Sequence, residues 1–470
     1  MPVVVGVDSS TSACKVQVRD ADTGAPVAEG RAPHPATTPP RSEQHPRDWD
    51  AAFRAACAEA GVPDLHRPAA IAFGGQQHGM VALDAAGEVL RPAKLWNDTE
   101  SAADADALVH ELEGGAAAWA GACGSVPVAS FTITKLRWLR RCEPDVFARV
   151  ASVLLPHDWL TAQLTGARTT DRGDASGTGY WSPAESRYRT DLLALVDDTL
   201  DWDAALPAVL GPTDGAGEWA VTGAVVAPGT GDNMAAALGL GLRPGDRALS
   251  LGTSGTAYTV SDRPSADPSG VVAGLADATG HFLPLVCTLN AMKVTDAIAR
   301  LLGVAVAQLD GLALAAPPGA DGVVLVPHFD GERTPNRPNA TGSLVGLHSD
   351  VTPGLLARAA IEGVVCNLLE GSDALPPSDG RLFLVGGGAH SAAYRRVVAD
   401  LTGRPVIVPV DQELVACGAA VQAAAVLHGS SFEEIAAAWE LGAGSVIEPD
   451  AAVDRDAIRA AYAAARGDEG

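Results

Sequence analysis

Basic residues are scarce in this chain. Thirty-three Lys and Arg stand against 57 Asp and Glu over 470 residues, a formal net charge of −24. Such a chain offers no basic footprint for a phosphate backbone, so nucleic acid is excluded as an expected partner. Lysine occurs only as Lys15, Lys94, Lys135 and Lys293, and none follows a glycine. A phosphate loop of the G-x-x-x-x-G-K-[ST] type is therefore ruled out. Cysteine is also sparse: Cys14, Cys57, Cys123, Cys142, Cys287, Cys366 and Cys417 are scattered with no C-x-x-C pair. Reduced, mostly buried thiols are expected instead of a disulfide frame or a metal knuckle. Apolar runs of about 18 residues are missing, and the N-terminus enters a β-branched run without a basic segment or cleavage site. The expectation is a soluble, cytoplasmic protein with no membrane partner. Two hydrolase signatures fail as well. His110-Glu111 begins like a zinc-protease helix, but Gly114 stands where the second histidine is needed, and no G-x-S-x-G elbow occurs.

What is present is a globular composition, 47% apolar and 19% charged, in a chain longer than one core usually serves. Two domains are expected, 1–245 and 246–470. Val3 to Ser9 is an apolar run ending in a Ser/Thr turn, Ser9-Ser10-Thr11-Ser12, before a second strand carrying Lys15. Ala248 to Leu251 repeats that design into Gly252-Thr253-Ser254-Gly255-Thr256. Each turn gathers backbone N–H groups and hydroxyls suited to phosphate oxygens. The first also carries Asp8, a hard oxygen ligand for Mg²⁺, so bound Mg-ATP is the expected cargo. Strands are predicted over 3–9, 14–20 and 26–32, then a helix from Arg47 to Ala60 with Trp49, Phe53, Ala56 and Cys57 on one face. A strand at 69–75, another at 79–84 and a hairpin around Gly87 follow. The second half predicts strands from 248, 255, 271 and 281, then helices near 290–302, 353–371, 391–402 and 413–428 alternating with strands 323–329, 381–386 and 406–409. Strands followed by strand–helix alternation, twice over, read as an α/β fold with a sheet in each domain.

Four segments carry candidate chemistry. In Gly229-Thr230-Gly231-Asp232-Asn233, a carboxylate precedes an Ala/Leu run, so Asp232 is either a helix N-cap or a general base for a substrate hydroxyl. Gly74-Gly75-Gln76-Gln77-His78-Gly79 reads as a tight turn whose Gln77 and His78 suit sugar hydroxyls and a keto oxygen. Leu95-Trp96-Asn97-Asp98 offers the Trp96 face for sugar C–H groups, with Asp98 as an N-cap. Val385 to Ser391 is a strand running into three glycines and a helix, where Gly387, Gly388, Ala389 and Ser391 can meet an anion or a polar ring. Residues 170–178 form a polar loop of low specificity, and Arg333 reads as a surface ion pair.

These blocks, V-G-V-D-S-S-T, G-Q-Q-H-G-M, L-W-N-D, G-D-N, L-G-T-S-G-T and V-G-G-G-A-H-S in one order, resemble the FGGY family of carbohydrate kinases, most closely its members acting on D-xylulose. The resemblance implies the two-domain actin/Hsp70/hexokinase-like, ribonuclease H-like fold, with ATP and sugar in a cleft between the domains. It implies phosphorylation of D-xylulose at O5, with Asp232 as general base and Asp8 and Asp232 toward Mg²⁺. Gln77, His78, Trp96, Asn97, Asp232 and Asn233 would contact the sugar. Thr11, Ser12, Lys15, Gly252 to Thr256, Gly387, Gly388, Ala389 and Ser391 would hold the nucleotide. A homodimer is implied by the resemblance alone. Ribulose, gluconate, glycerol or a deoxy-ketose stay open as acceptors, as does a non-catalytic nucleotide or sugar sensor. Ser10 stands where the wider superfamily often has glycine, and Gln77 where some members have methionine.

Overall fold

The computed structural model describes residues 2–411 and 413–467. The first unit is built on strands β1 (Val3–Ser9), β2 (Ala13–Asp20), β3 (Pro26–Pro33), β4 (Ala70–Gly75), β5 (Gly217–Trp219), β6 (Ala224–Val226) and β7 (Thr230–Gly231). The sheet order is β3-β2-β1-β4-β6-β5, with β7 also on β4. Antiparallel pairing holds β1, β2 and β3, whereas β4 is parallel to β1, β6 and β7. Strand β1 is buried from Val4 to Ser9, which explains an apolar run without alternation. Helix α1 (Pro46–Glu59) starts with His45 accepting from the Arg47 N–H and with Pro46 at its first position. It buries Trp49, Ala52, Phe53, Ala56 and Cys57, the stripe its spacing predicted. Phe53 meets Phe73 of β4 edge-on at 5.1 Å, and burying each such ring contributes about 2–3 kcal/mol. Three further helices place site residues: α2 (Pro156–Thr165), the single turn α3 (Arg172–Ala175) and α4 (Asp232–Gly239).

The second unit has strands β8 (Arg247–Leu251), β9 (Gly255–Thr259), β10 (Phe282–Thr288), β11 (Leu382–Val385), β12 (Val406–Pro409) and β13 (Gly444–Ile447). They run in the order β10-β9-β8-β11-β12-β13. Again two antiparallel partners precede the first strand, two parallel strands follow it, and an antiparallel strand closes the edge. The repeated turn seen in the sequence thus belongs to a repeated sheet. Helices α5 (Met292–Leu302), α6 (Pro353–Asp373) and α7 (Ala392–Thr402) complete this unit's core.

The compact units are discontinuous in sequence. One comprises Met1–Leu242, Asp262–Leu283 and Glu413–Leu441, and the other Arg243–Ser261, Pro284–Gln412 and Gly442–Gly470. The first division, between Leu242 and Arg243, lies beside the boundary expected at 245, and two later segments return to the first unit by their contacts. Helix α8 (Leu414–His428) returns because its small residues let backbones touch. A Cβ on Gly6 of β1 would collide with the Ala416 carbonyl, and one on Gly418 with the carbonyl of Ala235 in α4. The 262–283 segment returns through Arg172, which donates to the Asp277 carboxylate at 3.3 Å and to the His281 carbonyl at 2.5 Å. None of the seven cysteines is in a disulfide, and of these only Cys142 is exposed. No single helix among the described residues is long and apolar enough to cross a membrane.

Candidate active site

Three parallel strands of the first unit end side by side. Their registers put Asp8 opposite Gly74 and Gly74 opposite Thr230, then Ser9 opposite Gly75 and Gly75 opposite Gly231. Asp8 and Asp232 therefore both stand at the carboxyl ends of parallel strands, where α/β sheets bind ligands. The glycines here serve close approach and not a tight turn, contrary to the sequence reading. A Cβ on Gly75 would lie 2.9 Å from the His157 Cβ, and one on Gly231 2.7 Å from the Gln77 Cγ. Positive φ falls instead on His78, at 65°, a conformation that costs energy in a non-glycine residue. Its Nδ1 lies 2.7 Å from the Gly177 carbonyl, so that nitrogen carries the proton. The ring packs against Phe131, with centroids 5.0 Å apart and planes tilted by 34°.

Asp232 is the first helical residue of α4; Gly231 takes the N-cap position, so the capping reading of Asp232 fails. The carboxylate accepts from the Asn233 N–H at 2.8 Å and from Asn233 Nδ2 at 2.9 Å. Asn233 Nδ2 also donates to Gln77 Oε1 at 3.0 Å, so one amide joins Asp232 to the Gln77-His78 segment. Burial, and then the negative charge of Asp8, push the Asp232 carboxyl up to about 7. A carboxylate poised there takes a hydroxyl proton far better than an ordinary aspartate. Asp8 itself is pushed up to about 6 by burial, with the Lys15 ammonium 3.7 Å away pulling the other way. Lys15 also pairs with Glu413 at 2.5 Å, a carboxylate that the sequence reading did not connect with this turn.

Thr11 and Trp96, assigned to different ligands from the sequence, hold each other: Trp96 Nε1 donates to Thr11 Oγ1 at 2.8 Å. Ser12 is exposed, whereas Thr11, Lys15, Trp96 and Asn97 are half-buried. Asp8 Oδ1, Gln76 Nε2, Gln77 Nε2 and Asn97 Oδ1 are buried with no hydrogen-bond partner among the described residues. Each would cost about 1–3 kcal/mol if left so, which suits groups that meet a ligand. Asp98 is not the expected N-cap, because the next helix begins at Ala102 behind Ser101. It lies fully buried beside Lys94, whose ammonium also reaches Glu43 and Glu100, at 3.3, 3.0 and 2.5 Å from Glu43, Asp98 and Glu100. These three carboxylates have metal-ligand spacing, but the lysine fills the position a cation would take.

In the second unit the Gly252-Thr253-Ser254 turn joins β8 to β9, with Thr253 exposed. Its carbonyls at Gly252 and Thr253 accept from the N–H groups of Met292 and Ala291, which start α5. Gly387 is exposed, while Gly388 and Ala389 are buried. Ser391 caps α7, accepting from the Tyr394 N–H at 3.1 Å and donating to Asp310 at 2.6 Å. Asp310 also accepts from the Ala392 N–H, so the anion at this helix terminus is the chain's own carboxylate. Beside Arg333, the residue singled out from the sequence, Glu332 is the buried hub. It accepts from the N–H groups of Leu289 and Arg333 and from the side-chain amides of Asn290 and Asn367.

Two copies of one sheet topology, one ending near two aspartates of raised proton affinity, are the arrangement a two-domain α/β phosphotransferase needs. Residues 3–239 match the N-terminal domain, and residues 247–427 the C-terminal domain, of the FGGY family of carbohydrate kinases. The chain belongs to this family. It is 50% identical to a xylulose kinase of Streptomyces coelicolor over 466 residues, covering 97% of this chain and 94% of that protein. A xylulose kinase of Streptomyces rubiginosus is 49% identical with the same coverage. The crystal structure of xylulose kinase from Bifidobacterium adolescentis, 43% identical, superposes with a TM-score of 0.88 over 99% of both chains. A gluconate kinase structure from Lactobacillus acidophilus, 24% identical, shares the fold at a TM-score of 0.90 over 99% of this chain and 97% of the other.

Proposed function

We propose that the protein transfers the γ-phosphate of ATP to the O5 hydroxyl of D-xylulose, with Asp232 as the general base. The observation that carries this is the Asn233 amide shared between Asp232 and Gln77. This shared amide supports the reading because one side chain joins Asp232 to Gln77, which is assigned to the sugar. As the sugar oxygen bonds to the γ-phosphorus and the bond to the ADP oxygen breaks, the hydroxyl proton passes to the Asp232 carboxylate. Gln77, His78, Trp96 and Asn97 orient the sugar, the first two by hydrogen bonds and Trp96 by its apolar face. Thr11, Ser12 and Lys15 donate to phosphate oxygens. In the second unit, Gly252 to Thr256 and Gly387 to Ala389 are assigned to the nucleotide, with Ser391 shaping that turn.

Asp8 fits a place beside Mg²⁺, since its Oδ1 is buried without a partner and Asp232 adds a second carboxylate. Two carboxylates are what Mg²⁺ uses when water and phosphate supply its other oxygens. When bound, the ion neutralises phosphate charge and weakens the repulsion between Asp8 and Asp232. Similarity to the two Streptomyces xylulose kinases supports D-xylulose as acceptor. Seven cysteines outside any disulfide accord with a cytoplasmic location.

The test is ADP release by the purified protein with D-xylulose, D-ribulose, gluconate and glycerol as acceptors. D-Xylulose should give the highest kcat/KM, and a preference above tenfold for any other acceptor refutes the assignment. Asp232→Ala should abolish transfer while ATP still binds; retained turnover would remove its role as base.

A further inference from the structure

His157, the second residue of α2, is fully buried, and no sequence motif selected it. Its Nε2 lies 3.3 Å from one oxygen each of Asp158, Asp171 and Asp174. One N–H cannot point at three oxygens, so charge holds this cluster and not a single directed hydrogen bond. Burial works against a charged ring, but the three carboxylates prevail and hold its proton affinity well above the ordinary histidine range. The imidazolium offsets the charge of these buried acids, and burial itself pushes Asp174 upward and Asp158 up to about 7, which lessens their mutual repulsion.

Two connections lead from this cluster to the proposed site. Asp171 Oδ2 accepts from Thr230 Oγ1 at 2.7 Å, and Thr230 lies on β7 two residues before Asp232. The other Asp171 oxygen accepts from the Asp174 N–H at 3.0 Å, which shapes α3. The Asp174 carbonyl then accepts from the Gly177 N–H at 2.9 Å, and the Gly177 carbonyl meets His78 Nδ1. Meanwhile the His157 Cβ packs on Gly75, where a side chain would not fit. His157 therefore reaches β4 through its Cβ, β7 through Asp171 and Thr230, and His78 through α3.

We propose, resting on the kinase reading above, that His157 is a positioning residue for phosphoryl transfer, fixing Asp232 through Asp171 and Thr230 and fixing His78 through the Asp174 turn. It touches neither sugar nor nucleotide in this scheme. Its effect is on where the base and the sugar-orienting imidazole stand, and displacements of about 1 Å at such groups cost on the order of a hundredfold in rate.

The experiment compares His157→Asn, Thr230→Val and Thr230→Ser with the wild type, using the polyol that the wild type turns over fastest. The readouts are kcat, the KM values for polyol and ATP, and the melting temperature. His157→Asn should lower kcat on the order of 30- to 100-fold with KM for ATP within about twofold. Thr230→Val keeps the ion cluster but cuts its link to β7, and should lower kcat on the order of tenfold well below its melting temperature; Thr230→Ser should restore it to within about twofold. Wild-type kcat in Thr230→Val, or equal loss in the Val and Ser variants, overturns the proposal. So does a folded His157→Asn with wild-type kcat. If His157→Asn does not fold, the Thr230 pair decides. A wrong acceptor shows in the wild-type ranking of polyols and leaves the variant-to-wild-type ratios intact.

Discussion

The proton affinity of Asp232 is the property on which the proposed chemistry turns. Its carboxyl is pushed up to about 7 from an ordinary 3.8, first by burial and then by the negative charge of Asp8. At roughly 1.4 kcal/mol per pH unit, keeping this group ionised costs about 4 kcal/mol more than in water. A base works only when deprotonated, so activity is present above the raised pKa and is lost as pH falls through it. The ionised fraction is about half at pH 7, about a tenth at pH 6 and about a hundredth at pH 5. In the ligand-free protein, the ¹³C carboxyl signal that is lost in Asp232→Asn should titrate with a midpoint near 7. The kcat/KM for D-xylulose should fall along an acidic limb approaching tenfold per pH unit, its midpoint lowered when Mg²⁺ is bound. Asp8→Asn removes the second cause and should lower the carboxyl midpoint. A midpoint below about 5 in the wild-type protein, or no shift in Asp8→Asn, would refute the electrostatic account of the base.

Other sites give independent checks. Trp96→Phe removes the indole N–H that holds Thr11, a loss of about 1 kcal/mol. It should raise KM for D-xylulose about fivefold and lower the urea midpoint by the stability lost with that hydrogen bond. Lys94→Met leaves Glu43, Asp98 and Glu100 without their shared cation and should destabilise the fold by about 3–5 kcal/mol, with Asp98→Asn recovering part of the loss in urea unfolding. Gly418→Val drives a side chain into the Ala235 carbonyl and should separate α8 from α4, costing about 3 kcal/mol in the same measurement.

Long elements with strong patterns were readable in the chain. The 3–9, 14–20 and 26–32 strands, the helix carrying Trp49 and Phe53, and the alternation after residue 353 stand within a few residues of their predicted places. Short pieces were not readable: Gly217–Trp219, Ala224–Val226 and Thr230–Gly231 are too brief to show a period, yet they complete the sheet that carries Asp232. Local signals also misled where a buried partner prevailed. Asp98 looks like a helix cap, but the ammonium of Lys94 is a stronger partner than a helix N-terminus.

By itself the sequence determined the repeated strand-turn-strand design, the absence of a lysine phosphate loop, and the residue types at the base and sugar segments. These are local properties, set by hydrophobic runs, glycines and polar side chains close together in the chain. Tertiary structure alone decided which distant groups meet. It put Asn233 between Asp232 and Gln77, brought Glu413 to Lys15, and gathered Asp158, Asp171 and Asp174 around His157. It also returned 262–283 and α8 to the first unit, because backbone contact at small residues depends on three-dimensional fit and leaves no period in the sequence. The raised proton affinity of Asp232 belongs to this second kind, since burial and the Asp8 charge exist only once β1, β4 and β7 lie side by side.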